Sequence, residues 1–120
     1  LYKRCLIPAD GFFEWMDVAG KKHPHFIQMQ EKQLFCFGGI YAHWADKNTG
    51  ELLQTFSIIT TEANTLMEKI HNIKKRMPVI VSPDRYAEWL SPNLSRNEVM
   101  DFFVPFPSEK MIAEEIEKLW

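Results

Sequence analysis

The sequence predicts an α+β fold, a curled antiparallel sheet or partly closed β-barrel with flanking helices. Two observations predict it. The first half alternates apolar and polar residues in short runs broken by turn residues, as at Phe12 to Met16. The second half changes to helical spacing, with capping residues ahead of the apolar positions, as at Ser95 and Glu98. The 120 residues suit one domain, spanning 1–120, with enough chain to bury a core. A hydrophobic content of 46% with 13% aromatic residues excludes a disordered chain.

Cys5 to Ile7 is a short apolar run ended by Pro8, and Asp10-Gly11 makes a turn. Phe12 to Met16 then puts Phe13 and Trp15 on one face and Phe12, Glu14 and Met16 on the other. Gly20, with Lys21 and Lys22, connects as a hairpin to a strand over His25 to Met29. Leu34 to Tyr41 follows as a buried strand in which Gly38-Gly39 marks a bulge or a close backbone approach. Asp46 to Gly50 is a loop, and Phe56 to Thr60 is rich in β-branched residues, as a strand is. Thr61 is expected to cap a helix whose stripe is Leu66, Met67 and Ile70, with His71 at its C-terminal end. Met77 to Val81 reads as a strand, and Ser82-Pro83 opens a short helix carrying Trp89 and Leu90. Ser108 is expected to begin a final helix with Ile112, Ile116, Leu119 and Trp120 on one face.

No apolar run is long enough to span a bilayer, so no membrane partner is expected. The net charge of −2 means that any nucleic-acid contact must come from local clustering. Such clustering exists at Lys69, Lys74, Lys75 and Arg76, with Glu109, Glu114, Glu115 and Glu117 gathered elsewhere. The two cysteines, Cys5 and Cys36, offer neither a zinc ligand set nor a disulfide framework and read as small buried hydrophobes in a reducing compartment. No cofactor is expected. The chain begins with Leu1 and stops at Leu119-Trp120 within an apolar pattern, so the C-terminal portion of a longer domain is expected, with its N-terminal part missing.

Glu14 interrupts the apolar face shared by Phe12 and Met16, and a half-buried carboxylate there can serve as a proton acceptor. The alternative is a glutamate on the wet face of an edge strand. His71, beside three consecutive cations, is able to exchange protons, or else simply complements a helix C-terminus. Lys74, Lys75 and Arg76 form either a phosphate-attracting patch or a solvated turn. Thr60 ends a strand and can offer a hydroxyl to a ligand. His23 and His25, flanking Pro24, and His43, near a loop, read as surface or capping residues.

Four ordered blocks carry a resemblance: Arg4-Cys5-Leu6-Ile7-Pro8-Ala9-Asp10-Gly11-Phe12-Phe13-Glu14-Trp15, Phe37-Gly38-Gly39-Ile40-Tyr41-Ala42-His43-Trp44, Ile58-Ile59-Thr60-Thr61-Glu62-Ala63-Asn64, and Ile70-His71 followed by Arg76-Met77-Pro78-Val79-Ile80. Together they resemble the SOS-response-associated peptidase (SRAP) family, proteins that crosslink to abasic sites in single-stranded DNA. The resemblance implies that Glu14 and His71 are active-site residues, that Thr60 is a hydroxyl beside the site, and that Arg76 holds DNA. It also implies a nucleophilic cysteine at the N-terminus, whose amine attacks the aldehyde of the ring-opened sugar and whose thiol closes a thiazolidine. Cys5 and Cys36 have amide nitrogens, so the nucleophile is expected in a preceding segment and this piece alone is expected to be inactive. One departure stands out: the family commonly has a single residue between the His and Arg-Met-Pro, whereas four intervene here. The partner implied is single-stranded DNA with abasic sites, met by a monomer in the cytoplasm, or at the nucleoid if the source is bacterial. The alternatives are a thiol (auto)peptidase and a non-catalytic module that binds single-stranded nucleic acid.

Overall fold

A computed structural model describes residues 3–117 as antiparallel strands with a few short helices. One sheet has the order β1 (Lys3–Ala9), β4 (Phe35–Ala45), β5 (Leu52–Ile58), and the short β8 (Ile80–Val81) also pairs with β4. A second has the order β2 (Phe12–Val18), β3 (Lys21–Met29), β9 (Met111–Glu115), and a third joins β6 (Thr60–Glu62) to β7 (Arg76–Pro78). The helices are α1 (Thr65–Ile70), α2 (Tyr86–Leu90) and α3 (Arg96–Met100). The α+β class expected from the sequence stands, with the strands divided among three sheets and no closed barrel among the described residues. No helix among these residues is long and apolar enough to cross a membrane.

The β2–β3 hairpin turns through Ala19 (φ 52°) and Gly20 (φ 82°), the pair of left-handed residues that a two-residue hairpin requires. Alternation then decides what is buried. Phe12, Glu14 and Met16 stand opposite Ile27, His25 and His23 on one face, and Ala113 and Glu115 extend the rows begun by Ile27 and His25. That face looks into a core of Ile27, Met29, Phe35, Phe37, Met67, Ile70 and Met77. A second cluster surrounds Trp89 with Val79, Val81 and Phe102, and the Trp89 indole N–H donates to the Cys5 carbonyl at 2.9 Å. Each such buried side chain contributes about 1.5–3 kcal/mol of transfer free energy. Gly38 and Gly39 mark a close approach and no bulge. Pairing runs unbroken through both, and a Cβ on Gly39 would sit 2.5 Å from Ile7 Cδ1.

Several local expectations need correction. The final helix is absent: Ser108–Lys110 makes one 3-10 turn, and Met111–Glu115 pairs with β3 as a strand. Leu119 and Trp120, assigned to that helix, lie outside the described residues. Thr61 does not cap α1. It lies buried in β6 with its hydroxyl donating to the Phe103 carbonyl, while the Asn64 side chain accepts the Met67 N–H at 2.8 Å. His25 is a core residue in the body of β3 rather than a surface or capping one. The strand expected over Phe56 to Thr60 breaks at Ile59, whose N–H turns to the Gly38 carbonyl. Leu34 is 70% exposed and precedes its strand. The capping box at Ser95 and Glu98 is present as expected.

Candidate active site

β2 is an edge strand, so alternate backbone groups along it point away from β3 and need other partners. Two of them define the site. The Trp15 N–H donates to Glu14 Oε1 at 3.2 Å, which bends the half-buried Glu14 side chain toward the free edge. Two residues on, the Asn72 side-chain amide pairs with the Asp17 backbone: its Nδ2 donates to the Asp17 carbonyl at 2.7 Å and its Oδ1 accepts the Asp17 N–H at 3.1 Å. A strand rises about 3.3 Å per residue, so these two fastenings stand about 6.6 Å apart on one edge.

Asn72 follows His71, which closes α1 by donating its backbone N–H to the Met67 carbonyl at 2.7 Å. The helix itself is seated by Met67 and Ile70 in the core against Met16. His71 Nδ1 accepts the Arg76 N–H at 2.9 Å. The Arg76 carbonyl also lies 3.1 Å from Nδ1; in the tautomer in which Nδ1 accepts the Arg76 N–H, the neutral ring carries its proton on Nε2 and presents a donor on its other side. The turn from 71 to 75 is closed by the Lys75 N–H on the His71 carbonyl at 2.8 Å, with Lys75 in the left-handed region (φ 55°).

Arg76 extends its Nη2 to Thr60, donating to the hydroxyl at 2.9 Å and to the carbonyl at 3.1 Å. The cationic run therefore diverges. Arg76 is held on Thr60, Lys75 Nζ lies 3.9 Å from Glu68 Oε1, and exposed Lys74 has no ion-pair partner among the described residues. His71, Arg76 and Thr60 are thus joined by direct hydrogen bonds. Glu14 stands apart on the neighbouring strand edge, and no hydrogen bond links it to His71 among the described residues.

Two residues of this region, His25 and Asn72, are not marked as site residues by the sequence. His25 stands opposite Glu14 on the same face, 9% exposed, with Nδ1 donating to the His23 carbonyl at 2.9 Å. Its alternation with Ile27 and Met29 was the available clue. Asn72 had none, because its partner is a backbone. Of the cysteines, burial pushes the Cys5 thiol above its ordinary value, which keeps it protonated and a poor nucleophile. Burial and a hydrogen bond to Cys36 push the Tyr86 hydroxyl up to about 12. Among the described residues no group of His, Cys, Asp and Glu forms a metal ligand set.

The abasic site processing protein YoaM of Bacillus subtilis is 40% identical over 119 residues, covering 98% of this chain and 51% of that protein. The abasic site processing protein HMCES of Gallus gallus is 34% identical over 107 residues, covering 73% of this chain and 31% of its own length. A crystal structure of a protein from Bacteroides thetaiotaomicron superposes with a TM-score of 0.92 at 43% identity, over 96% of this chain and 50% of that one. The chain spans about half the length of the Bacillus subtilis relatives that it matches. The model of the family described as SOS response associated peptidase (SRAP) matches residues 1–119, and the chain belongs to that family.

Proposed function

We propose that these residues carry the acid–base part of a site that recognises abasic positions in single-stranded DNA and becomes covalently joined to them. The observation that supports this reading most is that the Glu14 carboxylate and the His71–Asn72 turn are both fastened to one free edge of β2, at backbone groups two residues apart. The reacting partner is the aldehyde of a ring-opened deoxyribose. An N-terminal cysteine in a segment outside these 120 residues supplies the nucleophile, because a thiazolidine needs amine and thiol on one residue. Glu14 accepts a proton from the attacking ammonium, and the amine nitrogen then bonds to the aldehyde carbon. His71, gaining one proton for each that it gives, carries the two protons left on the amine nitrogen to the former aldehyde oxygen, which departs as water and leaves an imine. The cysteine sulfur adds to that imine carbon, and its thiol proton passes to the nitrogen. Thr60 and Arg76 line the DNA side, Arg76 through the guanidinium donors not spent on Thr60.

A protein working this way acts as a monomer wherever single-stranded chromosomal DNA is exposed, the nucleoid of a bacterium included. The family's description as a peptidase supports a second reading, in which His71 assists a thiol in cleaving the peptide bond ahead of the nucleophilic cysteine.

The test is a denaturing gel of the full-length protein with an oligonucleotide carrying one abasic site. A stable shifted band is expected with that strand and none with intact DNA. Glu14→Gln and His71→Ala should each slow its formation by about 10²–10⁴-fold while single-stranded DNA binding by fluorescence anisotropy stays the same. The 120-residue piece alone should give no band. Absence of a band from the full-length wild type would sink the crosslinking reading, and cleavage of a peptide ahead of the cysteine would then favour the second one.

A further inference from the structure

We infer that Asn72 is a positioning residue: its amide fastens the turn bearing His71 to the edge of the strand bearing Glu14, and so sets where the imidazole stands relative to the carboxylate. This deepens the proposed function and rests on the roles given there to Glu14 and His71.

The geometry is that of a missing strand. An edge strand offers an N–H and a C=O at every second residue, and a neighbouring strand would satisfy both from one residue. At Asp17 both are satisfied by one side chain, with the Asn72 amide donating at 2.7 Å and accepting at 3.1 Å. An amide is the only neutral side-chain group that supplies a donor and an acceptor in this arrangement. The two-point pairing fixes both the distance and the rotation of the turn, which a single hydrogen bond would not.

The same edge carries Glu14. Its carboxylate takes the preceding free N–H, that of Trp15, two residues from Asp17. Carboxylate and turn are therefore referred to one ruler, the backbone of β2. On the His71 side the linkage is equally short. Asn72 is the next residue, and the His71 ring is steadied from behind by the Arg76 N–H on Nδ1 at 2.9 Å. The backbone hydrogen bonds of Lys75 tie the turn to His71 and to Ala63, and neither of these reaches β2.

The fold does not depend on this fastening. α1 is held by Met67 and Ile70 in the core, by Asn64 at its N-cap, and by the Leu66 N–H on the Ser108 hydroxyl at 3.2 Å. Asn72 itself is half-buried at the rim. Its removal leaves the helix in place and frees the turn. The four residues between His71 and Arg76 give the chain room for such a fastening.

The test uses the full-length protein with Asn72→Ala and Asn72→Asp, each in the wild-type and the His71→Ala background. Asp keeps the shape and the acceptor but sets an oxygen against the Asp17 carbonyl. A misplaced catalytic group can cost about 10²-fold, so each single variant should form the crosslink about 10- to 100-fold more slowly at unchanged single-stranded DNA affinity. In the His71→Ala background neither should slow it further, because a residue that acts only through His71 has nothing left to position. Equal losses in both backgrounds, or a wild-type rate for Asn72→Ala, would overturn the inference. The nitrogen resonances of the His71 ring supply a readout independent of DNA. Wild type should show a bare Nδ1 and a protonated Nε2, and Asn72→Ala should show the two averaging as the tautomers mix. If the wild-type protein forms no crosslink at all, the functional reading fails on its own account and the ring spectrum decides the positioning role. Unchanged His71 signals in Asn72→Ala would then refute it.

Discussion

Replacing Lys74 and Lys75 together with alanine in the full-length protein probes the cationic turn while sparing the groups that hold His71. Arg76 is left in place because its N–H orients the imidazole and its guanidinium is fixed on Thr60. Lys74 is exposed and lacks an ion-pair partner among the described residues, and Lys75 gives up only a loose 3.9 Å contact with Glu68, so both ammonium groups are available to phosphates. Each phosphate neutralised on a single strand releases counterions and contributes about −0.7 to the slope of log K against log salt. Losing two such contacts should make the slope shallower by about 1.4. Across a fourfold rise, from about 50 to about 200 mM salt, wild type should therefore lose about 7-fold more affinity than the variant. Anisotropy titrations of a labelled single strand at several salt concentrations measure both slopes. With saturating abasic DNA, the rate of crosslinking should stay at the wild-type value. Parallel slopes would mean that the run is an ordinary solvated turn and that DNA passes elsewhere.

Two further outcomes follow from the hairpin that carries Glu14. The Asp17 carboxyl is held below its usual 3.8 by the hydrogen bond from Lys22, at 3.0 Å, and by the Gly20 N–H. A depressed carboxylate stabilises the fold above its ordinary value and ceases to do so as pH falls through the folded value. Thermal unfolding of Asp17→Asn should accordingly show less loss of Tm on the acid side than wild type, and an identical acid profile would contradict this. Gly11→Ala should destabilise the fold by about 1–3 kcal/mol, because its Cβ would lie 2.8 Å from the Ile27 carbonyl and 2.4 Å from the Phe26 ring. Urea unfolding measures this, and a midpoint within error of wild type would refute it.

The strands of the first half were legible because their period is two and their breaks carry turn residues, as Ala19-Gly20 shows. The last strand was not. Ile112 and Ile116 are spaced as on a helix, yet Met111 and Ala113 face inward in alternation with Ile112 and Glu114 once β3 offers its edge. Pairing with a distant strand outweighed local spacing there. Thr61 has the chemistry of a cap, but its place in β6 opposite Met77 left capping to Asn64. At the site, the residue types of Glu14, His71, Thr60 and Arg76 and their order drew attention to them. The divergence of Lys74, Lys75 and Arg76 and the grip of Asn72 on Asp17 depend on turn geometry and on backbone atoms, which no residue letter announces.

β9 also sets a schedule. It makes β3 an interior strand and puts Glu115 in the same cross-strand row as His25 and Glu14. Without it, the Glu14 hairpin is a two-stranded ribbon, a unit of marginal stability in water. On the ribosome the chain emerges from its N-terminus, so the strand bearing Glu14 must wait for Met111–Glu115 before its sheet is complete. The Glu14 carboxylate is made early and becomes rigidly placed late.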